Sequence, residues 1–136
     1  MEKVMYEAPE KICSDCEYPG IYSSSVCERC WARKFPRVVC LCGSTKFKQE
    51  FIDANFRETM AGKIVLTVGW FSHSDGNIYT PTQAEKVALD ELHKRKIDLA
   101  DEVLVINVGG YIGESTKSEI DYAERRGKPI TYLEQK

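Results

Sequence analysis

From residue 37 onward the sequence repeats one pattern: a short apolar run, a glycine or polar turn, then a stretch with helical apolar spacing. Few folds are open to such a chain, because strands joined by crossover helices pair in parallel and are covered on both faces. Residues 37–42 read as a strand, Gly43-Ser44-Thr45 as its turn, and 46–61 as a helix that Gly62 stops. That helix carries Phe47, Phe51 and Ala54 on one face with Ile52, Phe56 and Met60 beside them. Residues 63–68 form a second strand, followed by a polar and aromatic loop over 69–80. A helix over 81–99 follows, with Thr80 as its cap, Pro81 in its first turn and Ala84, Val87, Ala88 and Leu92 at helical spacing. Residues 102–108 are a third strand, 109–113 a second glycine-rich loop, 115–126 a helix and 129–133 a last strand. Four strands and three crossovers predict a mostly parallel α/β sheet with right-handed connections, in a Rossmann-like or flavodoxin-like arrangement.

Residues 1–36 have a different composition, rich in Cys, Ser, Tyr and Pro and without a sustained apolar period, so they cannot bury a core alone. Cys13-x2-Cys16 and Cys27-x2-Cys30 stand ten residues apart, and two such pairs present four thiolates to one tetrahedral ion. The expectation is a zinc-binding cysteine knuckle over 1–36 ahead of an α/β domain over 37–136. Four cysteine ligands leave no position for water, which makes the zinc structural. Arg29, Arg33, Lys34 and Arg37 lie beside the second pair, either as a solvated face or as a contact for nucleic acid or protein. Cys40 and Cys42 fall on the first strand and read as small buried apolar residues rather than ligands.

Nineteen basic and twenty-one acidic side chains give a formal charge of −2, so no global field draws the chain to nucleic acid or to an anionic membrane. The apolar stretch at 64–68 is too short to cross a bilayer, and the N-terminal residues lack the apolar core of a signal peptide. A cytoplasmic protein without membrane contact is expected, and its six cysteines then point to metal rather than to disulfides.

Ligands of open parallel sheets bind outside the carboxyl ends of the strands, where glycine lets backbone approach and helix N-termini offer N–H groups to anions. Gly43, Ser44 and Lys46, the loop with His73 and Asp75, and the segment from Gly109 through Gly113, Ser115, Thr116 and Ser118 all converge there. Neither glycine loop carries a P-loop or a full dinucleotide fingerprint, so no redox cofactor is expected. The hydroxyls can hold a phosphate or cap helices. Thr116-x-x-Glu119 likewise fits a capping box, while the same position at the mouth of the sheet suits a carboxylate that attacks an anomeric carbon. Asp98 and Asp101 precede the third strand as functional acids or as helix-end polar residues. Trp70, Phe71 and Tyr79 can stack on a base or seal the core edge, and His73 is either a contact to the base or solvated.

The Gly-Ser turn after the first strand, Lys96-Ile97-Asp98-Leu99-Ala100-Asp101, and residues 113–123 together resemble nucleoside 2-deoxyribosyltransferases and the related nucleoside-monophosphate N-glycosidases. The likeness covers about residues 37 to 133. It implies that Glu119 is the nucleophile that takes the (deoxy)ribosyl group, that Asp98 is the acid or base that handles the leaving nucleobase, and that Asn107 positions nucleophile or sugar. It further implies a phosphate site at Ser115, Thr116 and Ser118, completed by Ser44 and Lys46, hence a 5′-monophosphate substrate and a homo-oligomer. Water as acceptor makes a hydrolase and another base makes a transferase. The chain departs from the family pattern after the first strand and in carrying the knuckle. Phosphoribohydrolases share the Gly-Ser turn and a later Gly-Gly…Glu segment, but their Pro-Gly-Gly-Gly-Thr motif is absent. A different class of function, a noncatalytic nucleotide sensor or nucleic-acid-associated adaptor, fits the same domain plan.

Overall fold

Val39, Cys40, Leu41 and Cys42 are wholly buried in succession, which an isolated half-exposed strand would not allow and a strand covered on both faces requires. They belong to β1 (Val38–Gly43), the second strand of a four-stranded parallel sheet in a computed structural model that describes residues 36–71 and 79–135. The other elements are α1 (Lys48–Met60), β2 (Ile64–Leu66), α2 (Gln83–Leu99), β3 (Glu102–Ile106), a short 3₁₀ turn at Val108–Gly110, α3 (Glu114–Arg125) and β4 (Ile130–Tyr132). The spatial order is β2-β1-β3-β4, with Cys40 opposite Leu66 on one side and Val103 on the other. The chain therefore leaves β1 toward one edge and returns past it to build the other. This reversal opens a crevice between the carboxyl ends of β1 and β3, at Gly43 and Ile106.

Strand alternation divides the core in two. Val39, Leu41, Leu104 and Ile106 face α1 and bury Phe51 and Ala54. Cys40, Cys42, Val103 and Val105 face the other way, against Ile97 and Ala100 at the end of α2 and Ala123 of α3. Opposite the crevice, Asp101 and Val38 exchange hydrogen bonds at 2.7 Å, and Glu102 joins Lys63 at 2.7 Å and Arg37 at 2.8 Å. Asp101 thus fastens the N-terminal ends of the strands.

Several boundaries and faces differ from expectation. Residues 44–46 form a turn, closed by Phe47 N–H donating to the Ser44 carbonyl at 3.1 Å, so α1 begins at Lys48. Only its Phe51 and Ala54 are buried; Ile52, Phe56 and Met60 are exposed, because one sheet face covers a stripe narrower than the apolar arc. α2 is capped by Thr82, not Thr80, with Thr82 and Glu85 in a reciprocal capping box. Its expected inner face of Ala84, Val87, Ala88 and Leu92 is exposed, and His93 and Ile97 are buried instead. At about 1.5 Å per residue α2 is longer than the strands it covers, so its N-terminal half runs past the sheet and walls the crevice. The knuckle cysteines Cys13, Cys16, Cys27 and Cys30, together with His73 and Asp75, lie outside the described residues. Among the described residues no helix is long and apolar enough to cross a membrane.

Candidate functional site

The crevice is a cavity of about 740 Å³. Its inner end is polar, made by Gly43, Ser44 and Thr45 after β1 and by Ser115 and Thr116 in the first turn of α3. Its outer end is aromatic, with Trp70 and Tyr79 edge to face at 5.7 Å. Lys86, Asp90, His93 and Lys96 line it from α2. Lys86, Asp90 and His93 recur at helical spacing, so one face of α2 serves the cavity along most of its length and the core at Ile97.

Gly43 allows the turn to sit this close. A Cβ there would stand 2.9 Å from both the Cβ and the carbonyl oxygen of Ile106 and 3.3 Å from the Phe51 ring. Those neighbours are backbone and packed core, so they cannot yield cheaply. Gly43→Ala is expected to destabilise the domain by about 1–3 kcal/mol, read from a denaturant midpoint, while displacing Ser44 from the cavity wall.

α3 has Gly113 as its N-cap and no side-chain cap. Thr116 and Glu119 are buried on its inner face with Ala123, so the capping-box reading of this pair is overturned: both residues are already inside the helix. Glu119 is 8% exposed and its Oε2 has no hydrogen-bond partner among the described residues. It lies 4.0 Å from Nε2 of His93, one layer behind the cavity wall. Burial, opposed by the nearby imidazole, pushes its carboxyl up to about 7.

β1 supplies the rest of this cluster. Cys40 and Cys42 alternate onto the same face, and their sulfurs lie 3.7 and 3.4 Å from Nε2 of His93. A hydrogen bond from Cys42 holds the Cys40 thiol below its ordinary range, and that bond together with burial pushes Cys42 above it. Burial disfavours charge on His93, but Cys40 and Glu119 together outweigh it and raise the imidazole. Cys40, Cys42 and His93 could hold a metal ion: one ligand atom from each lies within 4.8 Å of the others. Sequence reasoning anticipated the burial of the two cysteines and missed their shared partner, since nothing local marks a histidine 51 residues away.

The remaining expected site residues are dispersed. Asp98 is outside the cavity lining, more than a turn beyond His93 toward the N-terminal ends of the strands. Its carboxylate accepts from Tyr122 Oη at 2.7 Å and pairs with Arg126 at 3.2 Å and Arg95 at 3.3 Å, and the Tyr122 bond foremost holds it below the usual range. Asn107 is buried, with Nδ2 donating to the Glu134 carbonyl at 3.0 Å and Oδ1 accepting from the Glu134 N–H at 2.8 Å. Its amide ties down the chain after β4. Lys46 places Nζ 3.4 Å from the Tyr111 ring centroid, and Ser118 faces outward. Comparison with known proteins found no matching family model and no similar curated protein.

Proposed function

We propose that the chain binds a nucleoside 5′-monophosphate in this cavity and cleaves its N-glycosidic bond, by hydrolysis or by (deoxy)ribosyl transfer, with Glu119 as nucleophile. The observation that carries the reading is Glu119 itself: a buried carboxylate with an unpartnered oxygen, set behind the cavity whose inner end gathers four hydroxyls and a helix N-terminus. The hydroxyls of Ser44, Ser115 and Thr116 and the first turn of α3 suit a phosphate, and Trp70 and Tyr79 suit a base. Attack by a Glu119 oxygen at the anomeric carbon forms a glycosyl ester as the carbon–nitrogen bond breaks and its electron pair leaves on the base. The departing nitrogen takes its proton from solvent that enters the cavity, since Asp98 lies outside the lining. Water or a second base then takes the sugar from Glu119.

The zinc knuckle of Cys13, Cys16, Cys27 and Cys30 belongs to the same proposal as a separate folding unit that contacts nucleic acid, protein or its own domain. A homo-oligomer would cover the exposed Val87, Leu89 and Leu92 of α2.

One observation favours a second reading, binding without cleavage: Glu119 stands behind the lining and not in it. Full-length protein incubated with a panel of ribo- and deoxyribonucleoside monophosphates separates the two. Base release from at least one monophosphate, and not from its parent nucleoside, is the expected result. Calorimetric binding of a panel member with no release of base replaces the enzyme with the sensor, and neither binding nor release removes both.

A further inference from the structure

The cluster beneath the cavity has the composition and spacing of a metal centre. We infer that Sγ of Cys40, Sγ of Cys42 and Nε2 of His93 bind a thiophilic divalent cation such as Zn²⁺, with Oε2 of Glu119 as the fourth ligand.

The distances support it. Around a tetrahedral zinc ion with bonds of about 2.3 Å to sulfur and 2.0–2.1 Å to nitrogen, sulfur and nitrogen ligands stand about 3.5–3.6 Å apart. The two sulfur-to-Nε2 distances are 3.4 and 3.7 Å, one on each side of that value. The same lengths also suit hydrogen bonds to sulfur; the convergence of both sulfurs on one nitrogen is what points to an ion. The two sulfurs come from alternate positions in the fully buried middle of one central strand, and the imidazole comes from a helix packed on it, so the constellation is set before any ion arrives.

The fourth position rests on a separate observation. Oε2 of Glu119 is buried without a hydrogen-bond partner among the described residues, and it lies 4.0 Å from the same Nε2, about 0.7 Å beyond the separation of nitrogen and oxygen ligands on one zinc ion, so the carboxylate would move toward the ion to bind it. A desolvated carboxylate oxygen left unsatisfied is costly, and coordination to a cation would remove that cost. Two thiolates and one carboxylate would neutralise a divalent charge with one negative charge over, a donor set that favours Zn²⁺ over the harder Mg²⁺ or Ca²⁺. Binding takes both cysteines as thiolates, His93 as neutral imidazole and Glu119 as carboxylate, and whatever protons these four groups carry go to solvent.

This site is distinct from the four-cysteine knuckle and holds whether or not the glycosidic reading does. Where both hold they share the Glu119 carboxylate, and coordination of Oε2 draws electron density from it, so base release is slower in the metal-loaded chain than in the metal-free one.

Full-length protein loaded with Zn²⁺ and freed of excess ion is expected to retain one more equivalent per chain than Cys42→Ser or His93→Gln prepared alongside. Replacement with Co²⁺ should give a thiolate-to-cobalt charge-transfer band that weakens in both variants. The comparison is between chains carrying the same knuckle, so the knuckle's own metal cancels. His93→Gln keeps both thiols, and it serves where the serine variant does not fold. Equal zinc content in wild type and in a folded variant overturns the site and leaves a thiol–imidazole cluster without metal. Base release plays no part in this count, so failure of the metal site and failure of the glycosidic reading are separately visible.

Discussion

In the metal-free chain, Glu119→Gln should abolish base release, lowering kcat by about 10⁴-fold or more, while the protein keeps its affinity for the monophosphate and loses no stability. The first half follows from chemistry: an amide of the same shape is a poor nucleophile toward an anomeric carbon, and loss of a covalent nucleophile removes the intermediate rather than weakening it. On the usual scale of 1.36 kcal/mol per tenfold, the loss is about 5.4 kcal/mol of transition-state stabilisation. The second half follows from burial. A carboxylate that is 8% exposed, with one oxygen unpartnered, is held in its place at a cost, and a neutral side chain of equal volume relieves it. Activity falls and the melting temperature stays or rises, a combination that a purely structural glutamate would not give. Single-turnover base release and a thermal melt on the same preparation check both. Unchanged release removes Glu119 from the chemistry, whatever happens to the melt.

How far the site could be read from sequence depended on whether its geometry was local. The position of Glu119 near a helix start and of the Ser44 turn after a strand was legible because a strand, a glycine and a helix start fix them within a few residues. The capping-box reading of Thr116 and Glu119 disappeared only when Gly113 proved to be the N-cap, three residues before Thr116, which places Thr116 inside the helix. Asp98 could not be told from a cavity residue by sequence position, yet two turns of α2 separate it, tied to Tyr122 and Arg126, from Asp90, which lines the cavity and which sequence reasoning did not single out. The Cys40–Cys42–His93 cluster needed the strand order β2-β1-β3-β4, which lays α2 across β1. A C-x-C on a strand already puts two sulfurs on one face, and that was the available signal.

The fold was legible at the level of element type and order because apolar runs, glycines and helical spacing all agreed. Which helix face turns inward was less so, and α1 gives the sharpest test. Phe51 and Phe56 both fall in its apolar arc, roughly 140° apart on the helix at 3.6 residues per turn, so both cannot face one sheet. Phe51 is 1% exposed, packs with Leu41, Ala54 and Ile106, and meets Phe71 edge to face at 5.4 Å. Phe56 is 66% exposed. Phe51→Ala is therefore expected to cost about 3–5 kcal/mol, from lost burial and the cavity it leaves, against a total stability on the order of 5–15 kcal/mol. Phe56→Ala should stay within about 0.5 kcal/mol of wild type. The first substitution should also weaken monophosphate binding, since the Phe51 ring is one of the walls that hold Gly43 and the Ser44 turn at the end of β1. Paired urea melts of the two variants decide the matter: equal losses would mean that α1 buries a broad face, and a larger loss at Phe56 would reverse its orientation on the sheet.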